Sequence, residues 1–385
     1  MILNFIKKYG LYLVPVLIAA SGAFHIFTYL FVVYTVLLFV RYPKYILDIQ
    51  LIVLVLFLAS YNYETETGGL VGRSFQVLFP VCFYIMGKLL ILIMNRENDV
   101  ILLLITFIIA FSSMPLLGYV LNVFQYGFNF DNLMILGSDE NELAATNFCA
   151  FFAINMGLVP LLIHKKYFSA DKKIKRISII LSIIGIIIVG SIGQRTGFFI
   201  IVINYIIFNI ISIKSNIKQV FQRMFSLSVF ISIGYIIIIN TNSIKTSRLY
   251  TRLFLEEDDN NFLGSRTEIW DSVFQIFTTN NIGKNALINE KFSYAHNLWL
   301  DVGIQSGIFP LILLIIFTFF FIKANVFLNA RKIKLNLKVY LILTSSAIFL
   351  TLMVEPIMQG YTYFFCAFVF VSGVLSGVNN KKFIN

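Results

Sequence analysis

The sequence predicts an all-α, polytopic integral membrane protein with about twelve transmembrane helices and one long external loop carrying short amphipathic helices. Three observations predict it. Of the 385 residues 58% are apolar and only 13% charged, with a mean hydropathy of +0.85, whereas soluble chains hold ~45–50% apolar and ~25% charged residues. The apolar residues gather in runs that approach or exceed the ~20 residues needed to cross the hydrocarbon. The 30 Lys and Arg, which outnumber the acidic residues to give a net charge of +11, fall in short tracts between those runs. That placement sets topology and gives no reason to expect a nucleic-acid partner.

Bracketed by their polar interruptions, the spans are expected at about 9–23, 25–41, 45–60, 73–94, 99–122, 142–163, 175–193, 196–213, 219–240, 296–322, 336–355 and 358–378. The first follows Lys7 and Lys8 and ends in Ala19, Ala20, Ser21, Gly22 and Ala23, which also resembles a signal-peptide cleavage region. A second apolar run follows at once, so we read the first as a span. With both termini in the cytoplasm, 22 of the 30 basic residues lie inside and 15 of the 19 acidic residues outside, as the positive-inside rule requires. The chain then divides into helices one to nine (residues 1–240), an external loop (241–295) and helices ten to twelve (296–385). Cys82, Cys149 and Cys366 all fall within apolar runs without metal-type spacing, and packing is their expected role.

The outer arginines stand out because topology disfavours them there. Ser265-Arg266-Thr267-Glu268 has the Ser-to-Glu spacing of a capping box, and Ile269, Trp270, Val273, Phe274 and Phe277 follow at helical intervals. An amphipathic helix should start at Ser265 and lie apolar face down on the outer membrane surface. Arg266 then sits in a first turn that already carries partial positive charge, a conflict that a bound anion relieves. Alternatively it pairs with Glu268 or Asp271, or reaches lipid headgroups. Gly193-Gln194-Arg195-Thr196-Gly197 brings an arginine and open backbone together at the outer boundary; the same spacing also suits a tight interhelical turn with a small-residue packing face. Arg248 and Arg252, four apart, share one helix face and can clamp an anion or face the acidic run Glu256 to Asp259. That run more simply forms a solvated loop than a metal site, and no metal or other cofactor is expected.

Tyr294-Ala295-His296-Asn297 immediately precedes an apolar helix containing Gly303 and Gly307. His296 is the one histidine expected outside, and a neutral imidazole there can accept a hydroxyl proton, worth ~10²–10⁴ in rate; a structural hydrogen-bonding role is the competing reading. Glu355-Pro356 reads first as a helix stop and second as an acid/base candidate.

Taken together, the arginine opening "RTEIW", the run "AHNLWLDVGIQSGIFP" entering a late helix, and the eleven positions from His296 to Gly307 resemble the O-antigen polymerase and O-antigen ligase superfamily. Gln194-Arg195-Thr196-Gly197 looks like that superfamily's "SR" element, with Gln194 where Ser is more usual. The resemblance covers about residues 190–197 and 245–310. It implies a metal-independent, inverting glycosyltransferase in the bacterial plasma membrane that takes glycan from undecaprenyl pyrophosphate on the outer face. His296 would be the base, and Arg195 and Arg266 would hold the pyrophosphate, with Arg248 and Arg252 as weaker candidates. The expected partners are lipid-linked donor and acceptor, the bilayer and a chain-length regulator protein. A repeat-unit polymerase is the reading preferred, a ligase to a final acceptor the nearest rival. A lipid-oligosaccharide flippase is the rival from another class; it should show broken midplane helices and two related halves.

Overall fold

The structure is a computed structural model that describes residues 18, 25–65, 70–127, 133–134, 142–143, 145–163, 172–192, 195–212, 221, 225, 266–278, 294–328, 333–355, 357–360 and 362–381. It is a helical membrane protein. Among the described residues six helices are long and apolar enough to cross a bilayer: Gln76–Ile93, Glu97–Gln125, Lys172–Ile192, Ile308–Phe327, Leu335–Val354 and Tyr363–Asn380. Thr28–Val40, Ile49–Thr65, Phe148–Leu161 and Arg195–Ile211 are shorter apolar helices. The expected spans 9–23 and 219–240, apart from single residues, lie outside the described residues, as do Arg248, Arg252 and the acidic run.

In chain order the helices are α1 (His25–Arg41), α2 (Pro43–Ile46), α3 (Ile49–Thr65), α4 (Leu70–Ile93), α5 (Glu97–Tyr126), α6 (Ala145–Gly157), α7 (Lys172–Ile192), α8 (Arg195–Ser212), α9 (Arg266–Thr278), α10 (Leu298–Ser306), α11 (Ile308–Phe327), α12 (Leu335–Val354), α13 (Ile357–Gly360) and α14 (Thr362–Asn380). A two-residue antiparallel pair, Leu133–Met134 with Glu142–Leu143, precedes α6, and a 3₁₀ turn, Val159–Ile163, follows it.

Helices α4 and α14 approach most closely. A Cβ on Gly87 would stand 2.3 Å from the Phe370 carbonyl oxygen, and one on Gly373 2.2 Å from that of Tyr84. Only glycine permits backbones to meet so tightly, and in lipid, where burial of apolar surface drives little association, such close packing holds helices together. Around this pair lies an aromatic core in which Phe107 stacks on Phe370 at 4.1 Å and Phe111 on Tyr363 at 5.1 Å. Cys82, Cys149 and Cys366 are buried, unbridged thiols within it.

The span expected at 296–322 is two helices. Gly307 adopts φ 88°, a conformation that costs other residues dearly, and separates the nine-residue α10 from the spanning α11. The pattern in the sequence is continuous because α10 packs apolar residues into the protein while α11 turns others, such as Ile308, Phe309 and Ile312, outward, so hydropathy alone does not register the break. The span expected at 142–163 likewise changes from α6 to the 3₁₀ turn after Gly157.

Candidate functional site

The turn before α10 is built around His296. Its backbone has φ 53°, and among the described residues it is the one non-glycine residue in the left-handed region. Holding such a residue there costs of order 1–3 kcal/mol and requires that its surroundings impose it. They do so from both sides. Asp301 accepts hydrogen bonds from the backbone N–H of Ala295 at 2.5 Å and of Asn297 at 3.3 Å, the two residues flanking His296. Asn297 caps α10, its Oδ1 accepting from the N–H groups of Trp299 and Leu300 at 3.1 and 3.2 Å. Its Nδ2 donates to the Met353 carbonyl, 3.1 Å away near the end of α12. Tyr294 meets the imidazole edge-on at 5.0 Å.

Asp301 is fully buried in α10, ahead of the spanning α11. Burial pushes its carboxyl up to about 7, and the two backbone hydrogen bonds pull in the other direction. It therefore acts on His296 through the main chain, by fixing the turn.

The loop helix α9 docks on this turn. The helix expected from the capping-box pattern is present from Arg266 to Thr278; Ser265 lies outside the described residues. Its apolar face, expected on lipid, packs on protein instead. Ile269 and Val273 are buried with Ala295 and Ile304, and the Phe277 ring covers Gly303, where a Cβ would approach it to 2.7 Å. Phe274 remains exposed. The Trp270 indole donates to the Ala295 carbonyl at 2.8 Å. Arg266, the first residue of α9, is thus one helical turn, about 6 Å of rise, from the residue that grips the His296 turn.

Arg195 is half-buried as the first residue of α8. The next residue, Thr196, donates its hydroxyl to Glu355 Oε1 at 2.7 Å, and both are buried. Glu355 follows α12 two residues after Met353, so the start of α8, the end of α12 and the His296 turn meet at one end of the bundle. The structure therefore brings together the chain segments that carry His296, Arg195 and Arg266. Sequence reasoning undervalued two residues there. Glu355 is more than a helix stop, because its carboxylate is engaged 159 positions away in sequence; the only local signal was an acid at the end of a span. Asp301 had a clearer signal, a lone carboxylate one turn after Asn297 in an otherwise apolar helix. Among the described residues no group of three metal-ligating side chains converges.

What the arrangement can do is fix the backbone that carries an imidazole in a turn linked by hydrogen bonds to α9 and, through the end of α12, to α8, the two helices that begin with arginine. Helix N-termini offer unpaired N–H donors, and arginine adds a planar fork matched to phosphate oxygens. No protein-family model matches the sequence, and no curated protein is similar to it.

Proposed function

We propose that this protein is a glycosyltransferase of the bacterial plasma membrane, a repeat-unit polymerase that transfers glycan from undecaprenyl pyrophosphate to a hydroxyl of another lipid-linked repeat unit at the external face. The single observation that carries the reading is the left-handed His296, held by Asp301, Asn297 and Trp270 next to the helices that Arg195 and Arg266 open. The resemblance of the two arginine motifs and the His-Asn motif to the O-antigen polymerase and ligase superfamily supports the same assignment.

In this mechanism the acceptor hydroxyl oxygen attacks the anomeric carbon from the face opposite the diphosphate and inverts it. The bond from that carbon to the diphosphate breaks, its electron pair leaving with the diphosphate, which stays on the carrier lipid. The hydroxyl proton passes to His296. Charge accumulating on the leaving diphosphate is met by Arg195, Arg266 and the N–H donors of their helices, with Arg248 and Arg252 as further candidates in the loop.

The test is purified full-length protein in lipid nanodiscs with the lipid-linked repeat unit that accumulates in cells lacking the protein, read as a product ladder. Wild type should build a ladder in the presence of a chelator. His296→Ala should cut the rate by ~10²–10⁴ at unchanged melting temperature. Full activity in that variant would remove His296 from the chemistry. Deleting the gene separates polymerase from ligase: single repeat units on the final acceptor identify a polymerase, long chains stranded on the carrier a ligase.

A further inference from the structure

A cavity of about 350 Å³ opens between α3, α4, α13 and α14, its walls including Tyr61, Asn62, Gln76, Phe79, Tyr363 and Phe365. It belongs to the His296 end of the bundle. The Tyr61 hydroxyl donates to Gln305 Oε1 at 2.7 Å, and Gln305 lies at the far end of α10 from its Asn297 cap. The eight-residue rise from Asn297 to Gln305 measures about 12 Å. Helix α10 therefore joins the cavity to the His296 turn as a rigid spacer.

The lining is chemically mixed. Tyr363 is clamped, its ring stacked on Phe79 at 6.2 Å and on Phe111 at 5.1 Å, and the half-buried Phe79, held by that stack, supplies the aromatic wall. Beside it are the amides of Asn62, which is buried, and Gln76, which is exposed. Asn62 Nδ2 donates to the Leu58 carbonyl of its own helix at 2.7 Å. A purely apolar guest such as an isoprenoid chain makes no use of the hydrogen-bonding capacity that Asn62 keeps beyond its bond to Leu58, and desolvating that remainder costs free energy. A sugar uses both kinds of wall: its C–H face packs on a ring and its hydroxyls bond the amides, the combination of broad apolar contact and few orienting polar groups found in ligand pockets of about 300–1,000 Å³.

We propose that this cavity is a recognition subsite for a non-reacting sugar of the oligosaccharide, and that it selects the repeat unit while the His296 turn performs the transfer. The inference rests on the glycosyltransferase reading and adds to it a place where sugar identity is read. The separation of about 12 Å along α10 suits a short oligosaccharide spanning cavity and turn.

The test measures binding to the full-length protein in nanodiscs by native mass spectrometry. The probes are the lipid-linked repeat unit accumulated by cells lacking the protein and bare undecaprenyl pyrophosphate. Wild type should prefer the glycan-bearing carrier. Asn62→Leu, and separately Gln76→Leu at the exposed rim where folding is not at risk, should each weaken the glycan-bearing carrier about tenfold and leave the bare carrier unchanged. Retained glycan preference in both variants, or stronger binding of the bare carrier to either, would overturn the subsite, the latter pointing to a lipid-chain pocket. A wild type that builds a product ladder without preferring the glycan-bearing carrier overturns the subsite alone. A wild type that builds no ladder and binds neither carrier overturns the functional reading and the subsite with it.

Discussion

The two ends of the bundle use charge in opposite ways. At the end remote from His296, Lys88 donates to Asp48 at 2.5 Å and to the Ile46 carbonyl at 2.9 Å. The same carboxylate accepts from Tyr84, from Ser376 at 2.9 Å and from the N–H of Leu51 at 2.8 Å. Nearby, Glu97 accepts from the N–H of Lys334, and Lys381 donates to the carbonyls of Ile91, Leu92 and Met94. Lys88 and Asp48 cancel there as an ion pair, Glu97 and Lys381 engage main-chain groups, and these contacts tie α3, α4, α5, α12 and α14 together. At the His296 end, Asp301 and Glu355 engage backbone N–H groups and a threonine hydroxyl, while Arg195 and Arg266 start separate helices. One arrangement consumes its charge in stability; the other fixes main-chain geometry around a left-handed histidine.

If that contrast is right, mutations at the two ends should part company, rate falling at one and stability at the other. The largest effect is expected from Asp301→Ala, which removes the acceptor of both N–H groups flanking His296 and should lower transfer about 10²-fold although the imidazole is intact. A product-ladder assay at matched folded protein checks it, and Asp301→Asn, which keeps one acceptor oxygen, should fall between. Near-normal rate in the alanine variant would show that Asp301 does not position His296. Next comes Lys88→Met, which strands the Asp48 charge and should destabilise by about 3 kcal/mol, the low end for a broken buried pair because Asp48 keeps its other donors. Thermal unfolding in detergent reads this, and the double variant with Asp48→Asn should recover much of the loss. Activity per folded molecule should not change; a fall would mean the remote end also serves the reaction.

Smaller still is Thr196→Val, which takes the hydroxyl donor from buried Glu355 and should cost about 1–3 kcal/mol of stability. A rise in KM larger than any fall in kcat would tie the same contact to placing Arg195 for diphosphate binding. The smallest effect is expected from Trp270→Phe. It keeps an aromatic ring between α9 and α10 but deletes the bond to Ala295 and part of the indole's packing, so about 1 kcal/mol, or a fewfold drop in rate, should result. Loss of the whole helix contact, seen as protease cleavage within residues 266–278, would show that this bond holds α9 in place.

Much of the molecule was legible in one dimension. The apolar runs around Gln76–Ile93, Lys172–Ile192 and Leu335–Val354 were bracketed within a few residues, since each side chain's preference for lipid is local and independent of its neighbours' identity. The helix beginning at Arg266 was equally visible from its periodicity. A helix beginning just after Asn297 was visible too, from the apolar run that follows it. What α9 covers was not legible: an amphipathic face states that something apolar must lie against it, without saying whether that is lipid or a neighbouring helix.

The sequence by itself determined the solvent this chain folds in and the position of most of its described helices, since composition, periodicity and capping act within a turn or two of chain. Tertiary structure alone decided the break at Gly307, the docking of Trp270 on Ala295, the engagement of Glu355 by Thr196 and the link from Tyr61 to Gln305 across 244 positions. Those features depend on which distant surfaces meet, and a buried polar group must find its partner wherever packing brings one within about 3 Å.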